Sequence, residues 1–222
     1  LKEALINYVA LLGASYEEGK DFYTLDELAA RFSLEKLNKA PAVFDYKKLE
    51  WYNGCYIRLQ SDEALAALAL PYAVSAGLFG APGAEPGPEQ RRLFIAAMPL
   101  IKERLTLLSQ APEKLGYLFS EPPLPSAEEF FPKKAGLNVT AALLHRGRDM
   151  VESLAALDDG EAEALVKARA EAEGVKLGDL LMPLRVAITG ARVSPPLFGS
   201  IRLLGAARSL ARVDRALAAL DD

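Results

Sequence analysis

Apolar residues recur every three to four positions along most of this chain, and period-two alternation is never sustained long enough to build a sheet. The pattern predicts an all-α fold of consecutive helical bundles. Leu5, Ile6, Val9, Leu11 and Leu12 define a first helix over 2–13 that stops at Gly13. Thr24 and Glu27 have capping-box spacing, so a second helix starts there and should end near Phe32. Residues 33–57, SLEKLNKAPAVFDYKKLEWYNGCYI, read as two short helices parted at Ala40–Pro41, the second closed by Asn53–Gly54. Ser61 opens a further helix, expected to be interrupted before Pro71 and to run out in glycines.

The segment APGAEPGPE, 81–89, is the clearest linker, since it carries no apolar side chain larger than proline. Pro88 then begins a strong helix expected to reach about Gln110, with Leu93, Ile95, Met98, Leu100, Ile101 and Leu105 on a broad apolar face. Ala111–Pro112 ends it, and Pro112, Glu113 and Lys114 read as the first turn of another short helix. A proline-rich connection, SEPPLPSAEEFFPKKAG, leads to helices over 138–157 and 160–173, the second stopped by Gly174. Two or three helices complete the chain.

Composition adds limits. With 222 residues, 51% of them hydrophobic and 25% charged, the chain is globular and can form one large domain or two to three small helical ones. No run approaches the ~20 apolar residues of a membrane span. The opening LKEALINYVALLG has Glu3 and helical spacing in place of a basic start and cleavage site, and reads as the interior of a longer polypeptide. The single cysteine, Cys55, cannot form an internal disulfide and reads as a packing residue; a reducing cytoplasm is the expected setting. The lone histidine, His145, has no ligand partner at metal spacing and reads as a surface or capping residue. No phosphate loop follows a strand, and no catalytic constellation stands out.

The net charge of −4 argues against a generic nucleic-acid binder. From Leu181 onward, however, the chain carries six arginines and no lysine against three aspartates, a local surplus of +3. Arginine forks onto phosphate and stacks on bases, although arginines on helices also make a well-solvated surface.

Three strings in order, ALINYVALLG, FSLEKLNKAPAVFDYKKLEWYNGCYIR and PLRVAITGARVSPPLFGSIRLLG, resemble the C-terminal half of bacterial glutamyl-tRNA synthetases, over essentially the whole chain. PEKLGYLF, 112–119, also fits. The resemblance implies a stem-contact helical domain at 1–60 and a two-part α-helical anticodon-binding cage at 61–130 and 131–222. It also implies a parent glutamate–tRNA ligase using ATP and Mg2+, whose nucleotide fold and "HIGH"-like and "KMSKS"-like signatures lie upstream. Neither signature occurs here, so no catalytic residue, cofactor or metal is expected in these residues. The partners implied are tRNA-Glu and the N-terminal catalytic domain of the same polypeptide, in a cytoplasmic monomer that contacts no membrane.

The same resemblance assigns site residues. Arg104, in LIKERLTLL, falls at the position whose arginine reads the third anticodon base, the base that separates glutamate from glutamine codons. Arg185 would fork onto a base or phosphate, while Ser194, Pro195 and Leu197 match positions that pack and hydrogen-bond around the first two anticodon bases. Pro196, where the family often has glycine, removes an N–H and puts a backbone hydrogen bond there in doubt. Lys47, Lys48 and Arg58 are candidate contacts to tRNA phosphates, with Phe44, Leu49, Trp51 and Tyr56 as the core beneath them. A helical protein-interaction scaffold without RNA affinity is the competing class; it explains the acidic balance and alanine-rich faces equally well.

Overall fold

A computed structural model describes residues 1–39, 41–133 and 135–221, apart from the side chain of residue 221. The described residues form twelve α-helices and no strand, as the periodicity requires. They are α1 (Lys2–Gly13), α2 (Leu25–Arg31), α3 (Tyr46–Arg58), α4 (Asp62–Ser75), α5 (Pro88–Ile101), α6 (Ala111–Phe119), α7 (Ala127–Phe130), α8 (Leu137–Ala156), α9 (Asp159–Ala172), α10 (Leu177–Thr189), α11 (Leu197–Leu204) and α12 (Ala206–Asp221).

Local chemistry starts and stops many of them. Thr24 and Glu27 form the expected capping box, with Thr24 N–H donating to Glu27 Oε2 at 2.8 Å and Glu27 N–H to Thr24 Oγ1 at 3.2 Å. Lys20 completes that corner at 2.7 Å, and its hydrogen bond is the main reason the Glu27 carboxyl is lowered to about 2. Ser61 caps α4 through Ala64 N–H, and Asp45 caps α3 through the N–H groups of Lys47 and Lys48. Gly13 is the last residue of α1, and Gly174 follows α9 with φ +65°.

Four expectations are corrected by packing. The first of the two short helices is a single 3-10 turn at Leu34–Lys36 capped by Ser33, and the chain from residue 41 to 45 is irregular; the break placed at Ala40–Pro41 falls partly on Ala40, outside the described residues. α3 is not closed by Asn53–Gly54 but continues to Arg58, with both residues buried. α4 runs through Pro71, because Pro71 and Ala67, whose carbonyl loses its partner, face solvent while Leu65, Ala66, Ala69 and Ala73 stay in the core. The helix begun at Pro88 leaves α-geometry at Ile101, and 3-10 turns at Lys102–Arg104 and Leu108–Gln110 replace its expected last turns. There Gln110 Oε1 accepts from the N–H groups of Thr106 at 3.1 Å and Leu107 at 3.2 Å, compensating for lost helical bonds.

Ala4, Tyr8 and Tyr52 form a small aromatic core between α1 and α3, with Leu49 and Tyr56 packed against it. Phe44 and Trp51 are not part of it: they are 40% and 48% exposed, although Trp51 touches the rings of Phe22 and Tyr52. The face of α3 turned inward is that of Tyr52, Asn53 and Ile57, which leaves Trp51 on its flank. Burial, helped by Asp21, raises the Tyr52 phenol to about 12, which keeps it neutral in the core. A second apolar core is continuous from Ile57 to Leu220, and α8 packs within it against α10, α11 and α12.

Candidate nucleic-acid interface

The early end of α5 turns Arg104 away from the core. It is the last residue of a 3-10 turn, exposed, and its Nη1 donates to the Ser194 carbonyl at 2.8 Å, 90 residues away in sequence. Lys102, two positions earlier, faces the other way and pairs with Asp62 of α4 at 3.3 Å. Only the arginine reaches the cleft between α5, α6 and the loop joining α10 to α11.

That loop is built by its own residues. α10 ends at Gly190, whose φ of +76° forms a left-handed cap, and Thr189 Oγ1 donates to the carbonyls of Arg185 and Ala191. Arg185 lies one turn back on α10 and donates from Nη1 to Ser194 Oγ at 2.8 Å and to the Pro195 carbonyl at 3.0 Å. Pro196 takes φ −51° and ψ 126°, the extended geometry expected of the proline pair, and its carbonyl accepts from Ser200 Oγ at 2.7 Å. The Ser200 hydroxyl lies 2.6 Å from that of Tyr117, so α6, α11 and the loop are joined by one buried chain of hydroxyls.

The cleft measures about 490 Å3 and is lined by Leu100, Ile101, Arg104, Glu113, Lys114, Tyr117, Thr189, Ala191, Val193, Ser194 and Pro195. Two guanidiniums meet at Ser194, and neither has a carboxylate partner among the described residues. The Arg185 pKa is pushed down, first by burial and then by the charge of Arg104. A ligand offering acceptors at this mouth would relieve that repulsion. Arg104 keeps free donors on its remaining guanidinium nitrogens, enough for a two-point contact with a base edge.

The structure thus brings Arg104, Arg185, Ser194 and Pro195 together, but gives two of the assigned residues other tasks. Arg185 is committed inward as the anchor of the loop. Leu197 is 3% exposed and packs in the core at the start of α11, so it supports the loop from below without facing a base. Lys114, Tyr117 and Thr189 also line the cleft; the sequence marks the first two only through PEKLGYLF and gives Thr189 no distinguishing feature.

Lys47 and Lys48 are exposed on the first turn of α3. Arg58 lies in the last turn, half-buried, with Nη2 3.1 Å from Cys55 Sγ. The helical rise of about 1.5 Å per residue separates it from the lysines by roughly 15 Å, so the three do not make one patch.

Besides Arg185, the C-terminal arginines all donate to main-chain carbonyls and are not simply solvated. Arg192 donates to the carbonyls of Glu129 and Phe131, Arg202 to Leu157, Arg208 to Leu118 and Arg215 to Pro122. Arg212 is 2% exposed and joins the ends of α6 and α10 to α12. Except for Arg215, whose acceptor Pro122 lies in the connection after α6, these side chains serve carbonyls at helix ends.

A Cβ on Gly190 would stand 2.7 Å from Cβ of Pro122, and its backbone is left-handed. Gly190→Ala is therefore expected to lower stability by on the order of 2 kcal/mol in denaturant unfolding. A loss below about 0.5 kcal/mol, the range of neutral surface changes, would show that the loop yields freely.

A protein-family model described as an anticodon binding domain matches residues 64–217. The glutamate–tRNA ligase of Treponema denticola is 45% identical over 98% of this chain and 46% of its own length, and that of Treponema pallidum (strain Nichols) is 48% identical over 98% and 44%. Among solved structures, the chain superposes with a TM-score of 0.79 on a glutamate tRNA ligase from Elizabethkingia meningosepticum, at 28% identity over 99% of this chain and 41% of that one. It spans somewhat less than half the length of the curated relatives it matches. With the matched model covering most of the residues that form the cleft and its supports, the chain belongs to the anticodon-binding domain family.

Proposed function

We propose that this chain is the tRNA-binding part of a glutamate–tRNA ligase, and that the cleft between α5, α6 and the 190–196 loop receives the anticodon of tRNA-Glu. The observation that carries the reading is the convergence of Arg104 and Arg185 on Ser194, which leaves unpaired arginine donors at the mouth of a cleft. An anticodon loop offers unstacked base edges, and a guanidinium fork suits them. Arg104 reads the third base, Arg185 holds the loop, and Ser194 with Pro195 shapes the wall for the first two. The organisation is a stem-contact unit at 1–60 followed by the two parts of an anticodon cage, 61–130 and 131–222.

The parent enzyme joins glutamate to tRNA-Glu in the cytoplasm as a monomer, with ATP and Mg2+ used by a catalytic domain elsewhere in the polypeptide. Among the described residues no group of three or more His, Cys, Asp or Glu side chains is placed to hold a metal ion. Nor is any described helix long and apolar enough to cross a membrane. Anticodon binding contributes to the reaction by placing the distant acceptor end of the correct tRNA.

Binding of the 222-residue chain to unmodified tRNA-Glu at two salt concentrations tests the reading. If Lys47, Lys48 and Arg58 each neutralise a phosphate, a four-fold increase in salt lowers affinity roughly 20–40-fold. Lys47→Glu with Lys48→Glu flattens that dependence; an unchanged slope would remove both lysines from the interface. Undetectable binding at low salt, in the full-length enzyme as well as in this chain, would favour a protein scaffold.

A further inference from the structure

The buried pair Asn53–Gly54 touches the chain immediately beyond Arg104. Asn53 Nδ2 donates to the Thr106 carbonyl at 2.6 Å, while its Oδ1 accepts from the nitrogen of Leu1 at 2.6 Å. A Cβ on Gly54 would stand 3.2 Å from the Leu105 carbonyl oxygen and 3.7 Å from Thr106 Cα, so glycine permits the close approach of α3 to this link. Gln110 grips the same link from its other side, through the N–H groups of Thr106 and Leu107. Leu105 is fully buried, which anchors the link side chain as well as its backbone.

Arg104 stands at the boundary between this gripped link and a weakly closed turn: the Leu105 N–H reaches the Lys102 carbonyl only at 3.4 Å. Its backbone is therefore tied to the link on one side and to α5, through the 3-10 turn, on the other. We propose that Asn53 and Gly54 are positioning residues that set the reach of Arg104 into the cleft, so that the first helical unit takes part in discriminating anticodons. The inference rests on the reading of Arg104 as the base-contacting residue. It assigns the mid-helix NG pair a function at a distance, through the backbone of residues 105 and 106.

The test compares affinity for unmodified tRNA-Glu with that for its third-anticodon-base variant, in this chain and in Asn53→Ala, Gly54→Ala, Arg104→Gln and Asn53→Ala/Arg104→Gln. Asn53→Ala and Gly54→Ala should each reduce the ratio of the two affinities about 3- to 10-fold with the salt dependence unchanged. In the Arg104→Gln background, Asn53→Ala should change the ratio no further. Asn7→Ala is the control. Asn7 is buried in the same unit, where it holds Asp21 and Tyr23, and it makes no hydrogen bond to the link.

If Arg104→Gln lowers the ratio while Asn53→Ala and Gly54→Ala leave it intact, the positioning role is wrong and the base-reading role stands. If Arg104→Gln has no effect, both fall. An equal loss in Asn7→Ala would show general loosening of the unit and overturn the proposal. Should Gly54→Ala fail to fold, Asn53→Ala decides, with hydrogen exchange as a readout independent of RNA. The Thr106 and Leu107 amides should exchange at least ~10-fold faster in Asn53→Ala but at the wild-type rate in Asn7→Ala; unchanged exchange in Asn53→Ala would refute the grip.

Discussion

Arg212→Met is expected to destabilise the chain by about 3–5 kcal/mol, because main-chain carbonyls lose their buried donor at roughly 1–3 kcal/mol each. Arg212 is almost fully buried, and its guanidinium donates to the carbonyls of Ile188 at 2.6 Å, Tyr117 at 2.8 Å and Ser120 at 3.2 Å, and to both oxygens of Glu121. Methionine fills much of the volume but leaves carbonyls at the ends of α6 and α10 without a donor, and an unsatisfied buried acceptor costs roughly 1–3 kcal/mol. Arg215→Met is the comparison, because Arg215 is exposed and makes a single bond to the Pro122 carbonyl. It should cost less than about 1 kcal/mol. Denaturant unfolding of the two variants measures the contrast; equal losses would show that Arg212 is no more structural than its exposed neighbour.

The same network gives a pH dependence with a definite sign. The hydrogen bond from Arg212, with its charge and that of Arg208, holds the Glu121 carboxyl below the ordinary carboxylate range. A group whose pKa is lower in the folded state contributes stability above its unfolded value, near 4.3, and loses it as pH falls through the folded value. The advantage of wild type over Arg212→Met should therefore be complete above about pH 5 and narrow below about pH 4. Glu121 is half exposed, so its share of the total is small beside that of the three carbonyls.

Arg104→Gln is expected to cost about 1–3 kcal/mol of discrimination against the third-base variant of tRNA-Glu, the value of one two-point base contact. This corresponds to a fall of roughly 5- to 150-fold in the ratio of the two affinities. Glutamine lacks both the fork and the reach that brings Nη1 to the Ser194 carbonyl. Affinity for the correct tRNA should fall more than affinity for the variant. Equal losses for both would mean that Arg104 only bridges α5 to the 190–196 loop, which its contact with Ser194 would also allow. Here the buried position of Leu197 helps the interpretation, since the loop beneath Ser194 is held independently by Arg185 and by the Tyr117–Ser200 hydroxyl pair.

The amino-acid sequence by itself determined the all-α class, the capped starts at Thr24, Ser61 and Pro88, and the glycine ends at Gly13 and Gly174. Each of these depends on groups within about four residues of one another, so a local pattern carries the information. Its three longer strings also marked the family, and the resemblance they carry, extended through PEKLGYLF to Arg104, assigned anticodon contacts to Arg104 and to Arg185, Ser194 and Pro195 as two separate stretches; it was the fold that set those side chains against one another. Tertiary structure decided the rest. Whether glycine stops a helix, as at Gly174, or admits a neighbouring backbone, as at Gly54, depends on what lies across from it, and Leu105 is 51 positions away. Whether Pro71 breaks α4 depended on which way Ala67 faces. Trp51 and Tyr52 are adjacent and both aromatic, yet only the direction of α1 selects Tyr52 for the core. The C-terminal arginines are alike in sequence, but a buried carbonyl cluster reached from Arg212 and an exposed one beside Arg215 make the first a structural centre and the second a surface residue, because desolvation depends on surroundings that no local pattern records.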